Sequence, residues 1–304
     1  MRIAYLVFAY KNPRLLERVI GTLSSEDCSF FIHIDQKSNI KEFSRIRGKN
    51  VFFSEQRIPV YWAEFSGVQA ILLLIRQALQ GPQDYDYLVL LSGSDYPIRS
   101  ARYIHTFLEE HRGLEFINIV KMPNEAAGKP ISRINTLRIQ SNKPYRRMAV
   151  RVMAKVGLAH RDYRKYLGSV EPYAGNTWWA LTRDACQYIL EFVERNQHVK
   201  SFFQNVFAPE ETFFHTILGN SPFRSQTRRN LVYEDWSVSG AHPAMINDQH
   251  LAFFESQEKV EISDAYGSGE LVFARKFSDE SPDLLQRIDG MIGRKDGVQK
   301  AMAR

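Results

Sequence analysis

YLVLLSGSDYPI, residues 87–98, is an aromatic and aliphatic run that breaks into a polar turn carrying one carboxylate, Asp95. A short, continuous apolar run bounded by Ser and Gly is the pattern of a buried strand. The same pattern recurs on either side of it. RIAYLVFAY (2–10) is a first strand, SFFIHID (29–35) a second that also ends at an acid, VFFSE (51–55) a third and FINIV (116–120) a fifth. Between them lie helical spacings. NPRLLERVIGTL (12–23) has Asn12 placed to cap and Pro13 at the first helical position. Residues 66–80 keep helical apolar spacing up to Gly81-Pro82, and a helix over about 100–111 follows a turn at Tyr96-Pro97. Strands alternating with helices predict an α/β fold with a mostly parallel sheet, whose ligands bind outside the carboxyl ends of the strands. Asp35 and Asp95 stand at two such ends. A single strand-end Asp usually caps the next turn; two at neighbouring ends point to a cleft.

The chain has 304 residues, 44% hydrophobic and 24% charged, the balance of an ordinary globular protein with a large core. A net charge of +6 suits a nucleotide, another polyanion or an anionic membrane surface. Cys28 and Cys186 have no metal-ligand spacing and are expected as free buried thiols in a reducing compartment. The apolar N-terminal run lacks a small-residue cleavage site, which favours a strand over a signal peptide, and AILLLI (70–75) is too short to span a bilayer. The expected location is therefore cytoplasmic, with peripheral contact at the inner membrane face.

From residue 121 to 166 the α/β pattern gives way to a basic stretch that includes Arg133, Arg138, Arg146, Arg161 and Lys165. It is expected as a solvated insertion; the functional alternative is an acceptor lid, or a peripheral membrane contact for anionic lipids through residues 133–165. No recognised nucleic-acid module surrounds it, so nucleic acid is not an expected partner. YAGNTWWALT (173–182) places Trp178 and Trp179 on opposite faces of a strand, one for the core and one free to stack on a sugar or base. A helix is expected over 183–196 and another over 208–218, the latter with Glu210 and Glu211 in its first turn, where acids interact well with the helix dipole.

Several catalytic signatures are missing: GxxxxGK[ST], HExxH, GxSxG, and a GxGxxG after the first strand. DYD (84–86) has the form of a metal-holding DxD but precedes the fourth strand, whereas SGSD (92–95) stands at its carboxyl end.

In order, RIAYLVFAYKNPRLLERVI, FIHIDQKS, FSGVQAILLL, YLVLLSGSDYPIRS, YAGNTWWALTRD, APEETFFHTILGNSPF, LVYEDW and VFARKF resemble the core-2/I-branching β-1,6-N-acetylglucosaminyltransferases and the peptide O-xylosyltransferases. The segments extend from residue 2 to residue 277, nearly the whole chain. The resemblance implies a GT-A-type nucleotide-diphospho-sugar transferase fold: a Rossmann-like, mixed, mostly parallel sheet flanked by helices. It implies one glycosyltransferase domain over 1–304, with a nucleotide-binding half (1–120), the basic insertion or lid (121–170), an acceptor half with the diphosphate-binding segment (171–280) and a polar tail (281–304). It implies inverting transfer of a sugar, GlcNAc or xylose, from a UDP-sugar donor to a hydroxyl of a glycan or lipid-linked saccharide, with no divalent metal and no other cofactor. The animal members carry an anchor, a stem and disulfides, so a bacterial-type enzyme of surface polysaccharide synthesis is expected. The alternative is a non-catalytic nucleotide- or carbohydrate-binding domain on the same fold.

Residue by residue, Glu211 matches the base of the branching enzymes and Asp95 the acid implicated in the xylosyltransferases, so both stand as candidate bases. Lys276, with Arg275 beside it, matches the diphosphate-binding cation. On a strand these two would point to opposite faces, so only one is expected at the phosphates. A second diphosphate cation has no match there, with Arg228 and Arg229 as substitutes. Asp35 and Lys37 match the segment near uracil and ribose. Glu210, Trp178, Trp179, Asp235 and Trp236 are candidate contacts to acceptor or sugar, and His33 is expected as a satisfied core residue.

Overall fold

The computed structural model describes residues 1–138, 148, 152–153, 159–238, 240 and 242–302, with side chains up to 297. The remaining cationic positions of the basic stretch, such as Arg146, lie outside the described residues.

Three strands with almost no polar residue form its centre: β1 (Ile3–Ala9), β2 (Cys28–Ile34) and β4 (Tyr87–Ser92). They lose the alternating pattern because helices cover the sheet and both strand faces are buried. With β3 (Val51–Phe53) they make a parallel block, ordered β3-β2-β1-β4. Beyond β4 the sheet continues through β9 (Trp179–Thr182), β6 (Glu115–Ile117) and β10 (Thr227–Arg228). β9 is antiparallel to both its neighbours, and β6 and β10 are parallel to each other. The sheet is therefore mixed and mostly parallel, the GT-A-type arrangement that the sequence motifs imply. Helix α1 (Pro13–Leu23) follows β1, α2 (Ser66–Leu79) packs on β1 and β2, and α3 (Ala101–Glu110) leads into β6. The helix Arg183–Arg195 packs on α2 and β9. One buried hydrophobic cluster extends from Ile3 to Ile292.

Reversal of β9 has a consequence for function. Its amino end, led by Asn176, Thr177 and Trp178, lies at the same sheet edge as the carboxyl ends of β1, β2 and β4. Beside the main sheet, β7 (Val120–Lys121) pairs with β8 (Tyr173–Ala174) and β12 (Glu261–Asp264) with β13 (Gly267–Glu270), and a small second sheet stands over this edge: β5 (Asp95–Pro97), β14 (Phe273–Arg275) and β11 (Val232–Glu234). Its registers set Arg275 opposite both Asp95 and Glu234.

Local departures from expectation have physical causes. Tyr96-Pro97 is not a turn but part of β5, because Phe273 and Ala274 offer it a partner strand from the far end of the chain. Asn12 does not cap α1. Its backbone is left-handed (φ 60, ψ 56) and its side chain donates to Ser94 Oγ at 3.3 Å. Asp279 takes the capping role, accepting from Leu15 N at 2.6 Å and Arg14 N at 3.3 Å. The expected helix over 208–218 is divided into a 3-10 turn, Pro209–Glu211, and the helix Phe213–Gly219. The tail, expected as polar and helix-like, is a helix, Pro282–Met302, but one that buries Leu285, Ile288, Met291 and Ile292 against the core. Both cysteines are free and buried.

Candidate active site

A cavity of about 750 Å³ opens at the carboxyl edge of the sheet, within the size range of small-molecule sites. It brings Asp35, Lys37, Trp178, Glu210, Glu211, Trp236, Arg275 and Lys276 together, from segments as far apart as β2 and β14. Of the candidates named from sequence, Asp95, Trp179, Asp235 and Arg228 are outside its lining.

The two candidate bases differ sharply. Asp95 has a side chain only 1% exposed, and both oxygens are engaged. Oδ2 accepts from Ser92 N at 2.6 Å and Oδ1 from Ser92 Oγ at 2.7 Å, while Arg275 Nε lies 3.0 Å from Oδ1 as an ion pair without an aligned hydrogen bond. Burial raises its pKa, against the opposing pull of Arg275 and Ser92. Asp95 thus stands behind the cavity and holds Arg275. Glu211 lines the cavity with its side chain 27% exposed. Its Oε2 accepts from Lys129 Nζ at 2.5 Å and Arg133 Nη1 at 2.7 Å. Oε1 has no hydrogen-bond partner among the described residues.

The turn that carries Glu211 is fixed through its backbone. Ala208 is left-handed (φ 47), the Glu211 carbonyl accepts from Gly175 N at 2.9 Å, and Ala63 O accepts from Ala208 N at 3.2 Å. Gly is needed at 175, since a Cβ there would overlap the Asn118 carbonyl. That steric demand explains the Gly of the YAGN segment. Glu210, beside Glu211, is half-buried, with Oε2 sealed and unpartnered. Burial pushes its pKa up to about 8, and the charge of Glu211 adds to the shift.

Arg275 and Lys276 both line the cavity, against the expectation that strand alternation would turn one away: β14 ends at Arg275, so the alternation does not reach Lys276. Their surroundings are nonetheless different. Arg275 pairs with Asp95 and with Glu234, at 3.2 Å, and its guanidinium lies 4.1 Å from the Trp178 ring. Lys276 has no acid within ion-pair distance among the described residues, and its pKa is lowered to about 8 by burial and then by Arg275 and Lys11.

At the β2 end, Asp35 accepts from Lys37 N at 2.9 Å and Lys37 Nζ at 2.8 Å, and Lys37 lies 4.3 Å from the Tyr61 ring. His33 is a core residue whose Nε2 accepts from Ile58 N at 2.8 Å. Trp179 belongs to the core, edge-on to Phe214, and Trp178 is 4% exposed with Arg275 over its ring. Neither presents the open face that stacking on a sugar needs. Two exposed tryptophans on the cavity wall do, Trp62 at 64% and Trp236 at 53%. Asp235 is turned to His250 Nε2 (3.0 Å) and Ser237 N (2.8 Å). Of the pair weighed as a second diphosphate cation, Arg229 lines the cavity but is bonded to Asp264, and Arg228 donates to the carbonyls of Ser225 and Thr227.

Lys129, Arg133, Glu234 and Trp62 went unmarked as site residues in the sequence. Arg133 belongs to the basic stretch, which the sequence alone presents as a solvated insertion. DYD lies at the opposite sheet edge, with Asp84 paired to Arg183 and Asp86 to Arg112. Among the described residues no group of three or more His, Cys, Asp or Glu is placed to hold a metal ion, and no helix is long and apolar enough to cross a membrane.

Xylosyltransferase 1 of Canis lupus familiaris is 25% identical over 257 residues, covering 78% of this chain and 24% of the relative. Xylosyltransferase sqv-6 of Caenorhabditis briggsae is 24% identical over 219 residues, covering 70% of this chain and 26% of the relative. The chain thus spans about a quarter of the length of these curated relatives. Among solved structures, the apo WbbM bifunctional glycosyltransferase superposes with a TM-score of 0.37 at 10% identity, over 76% of this chain and 39% of that one. The profile of the Core-2/I-Branching enzyme family matches residues 3–258, and the chain belongs to that family.

Proposed function

We propose that this protein is an inverting glycosyltransferase that moves a sugar, GlcNAc or xylose, from UDP to a hydroxyl of a glycan or lipid-linked saccharide without a divalent metal. The observation that carries the reading is the convergence in one cavity of an accessible carboxylate, Glu211, and a cation, Lys276, that has no ion-pair partner among the described residues. Inversion needs one in-line displacement. The acceptor oxygen attacks the anomeric carbon, the bond from that carbon to the diphosphate oxygen breaks, and the acceptor proton passes to a base. Glu211 is assigned that role, with Oε1 toward the hydroxyl and Oε2 anchored by Lys129 and Arg133. The leaving diphosphate gathers negative charge, which Lys276 is positioned to stabilise. Arg275, fixed by Asp95, Glu234 and Trp178, supports the same wall. Asp35 and Lys37 are assigned to the nucleoside, and Trp62 and Trp236 to the sugar rings of the acceptor.

The test is release of UDP from a panel of UDP-sugars, with and without saccharide acceptors. Turnover with one donor, accelerated by acceptor, supports the reading. Tight UDP binding with no turnover for any donor would instead identify a non-catalytic binding domain.

A further inference from the structure

The cations lining the cavity differ in whether an acid faces them. Lys37 is paired with Asp35, Lys129 and Arg133 with Glu211, Arg229 with Asp264, and Arg275 with Asp95 and Glu234. Among the described residues, the lining cations without an ion-pair partner are Lys276 and one residue that no motif marks, Lys11. Lys11 lies two residues after the end of β1, beyond Tyr10, and is exposed.

Ser94, in the turn after β4, joins the two lysines although they are far apart in the chain. Its Oγ accepts from the Asn12 side chain at 3.3 Å, and its carbonyl accepts from Phe277 N at 2.8 Å. The residue after Lys11 and the residue after Lys276 are thus bonded to one serine. Electrostatics agree with this placement: Lys11 contributes to the lowered pKa of Lys276, and both lysines contribute to the lowered pKa of His242 on the same wall. A nearby anion-binding alternative, the start of α1, is already taken, because Asp279 accepts from Arg14 N and Leu15 N.

We infer that Lys11 and Lys276 form a two-lysine clamp for the diphosphate, with Lys11 supplying the second cation that the late basic segment lacks. This rests on the reading of the cavity as a nucleotide-diphospho-sugar site. Two positive charges with no ion-pair partner among the described residues would face a diphosphate that carries two negative charges in the donor and gains a third on leaving. With no ion-pair partner among the described residues to displace, both ammonium groups are available to donate to phosphate oxygens. Ser94 fixes their spacing before the ligand arrives.

Calorimetric titration of UDP and of uridine into wild type, Lys11→Met, Lys11→Arg and Lys276→Met tests the clamp, with melting curves to confirm folding. Lys11 is exposed, so its variants should melt with wild type. Each Met variant should lose about ten-fold or more in UDP affinity, leave uridine affinity unchanged, and flatten the salt dependence of UDP binding. Lys11→Arg should restore most of the loss. Wild-type UDP affinity in Lys11→Met, with Lys276→Met weakened, would overturn the clamp and leave the donor reading standing. Failure of wild type to bind UDP at all would overturn both.

Discussion

Asp95 and Arg275 face each other across β5 and β14, with Arg275 Nε 3.0 Å from Asp95 Oδ1 and its guanidinium 4.1 Å from the ring of Trp178. This pair lies between the strand that decides the fold and the segment assigned to the phosphates. It makes Asp95 a support for the cavity wall, with both carboxylate oxygens engaged by Ser92 and Arg275.

Replacing Asp95 by Asn should therefore act first on stability. Breaking a buried ion pair costs about 3–5 kcal/mol when the other charge is left uncompensated; Glu234 still faces Arg275, so about 1–3 kcal/mol, the cost of leaving a buried group without its partner, is expected here. Urea unfolding should show a fall of that order, with weakened UDP binding because Arg275 loses its anchor. Wild-type stability and UDP affinity with turnover abolished would contradict this and return the base role to Asp95.

Burial of Glu210 gives a pH dependence of defined sign. Its pKa is about 8 in the folded chain against an ordinary 4.5, so between those values the folded state holds more protons than the unfolded state. Stability should fall as pH rises through that window and level off above it. Glu115, pushed up to about 7 by burial, acts in the same direction. Glu210→Gln should be more stable than wild type at pH 8 by about 1–3 kcal/mol, less than the full linkage value because the residue is only half-buried, with the gain vanishing below about pH 4. Unfolding curves across that range check it, and no gain at the alkaline end would contradict it.

Lys276 sets a second pH dependence. Only its charged form attracts a diphosphate, and in the free protein that form is lost above about pH 8. UDP affinity should hold between about pH 7 and 8 and then fall by up to about ten-fold per unit. Titrations on Lys276→Met should show no such fall. The same decline in that variant would assign it to another group.

Metal independence is the fourth expectation. SGSD occupies the strand end where a metal-holding DxD would stand, and DYD lies at the far edge with Arg112 and Arg183. Turnover should survive excess EDTA. Full loss with EDTA, restored by manganese, would show that a metal shares the diphosphate charge.

Much of the fold was legible because β1, β2 and β4 are buried on both faces and so appear as unbroken apolar runs. The carboxyl-end rule then located Asp35, and the VFARKF segment located Lys276. The rest depended on contacts with no local pattern. Lys129 and Arg133 belong to a stretch whose charge resembles a solvated surface, and only the fold turns them onto Glu211. Asp95 was visible at its strand tip, but its partner comes from the far end of the chain. Tyr96-Pro97 resembles a turn until β14 pairs with it. Trp178 and Trp179 were conspicuous as a doublet, whereas Trp62, the more open ring, stands alone in the sequence.

The most direct measurement is the turnover of Glu211→Gln, compared with its UDP affinity by calorimetry. A base acts on the acceptor hydroxyl and not on the nucleotide, so kcat should fall by about a hundred-fold to ten-thousand-fold while UDP binds as to wild type. Glutamine retains the size of the side chain, and its amide oxygen can still accept from Lys129 and Arg133, so the fold should survive. Turnover retained near the wild-type level in Glu211→Gln would contradict the assignment of Glu211 as the base, and with it the central account of this cavity.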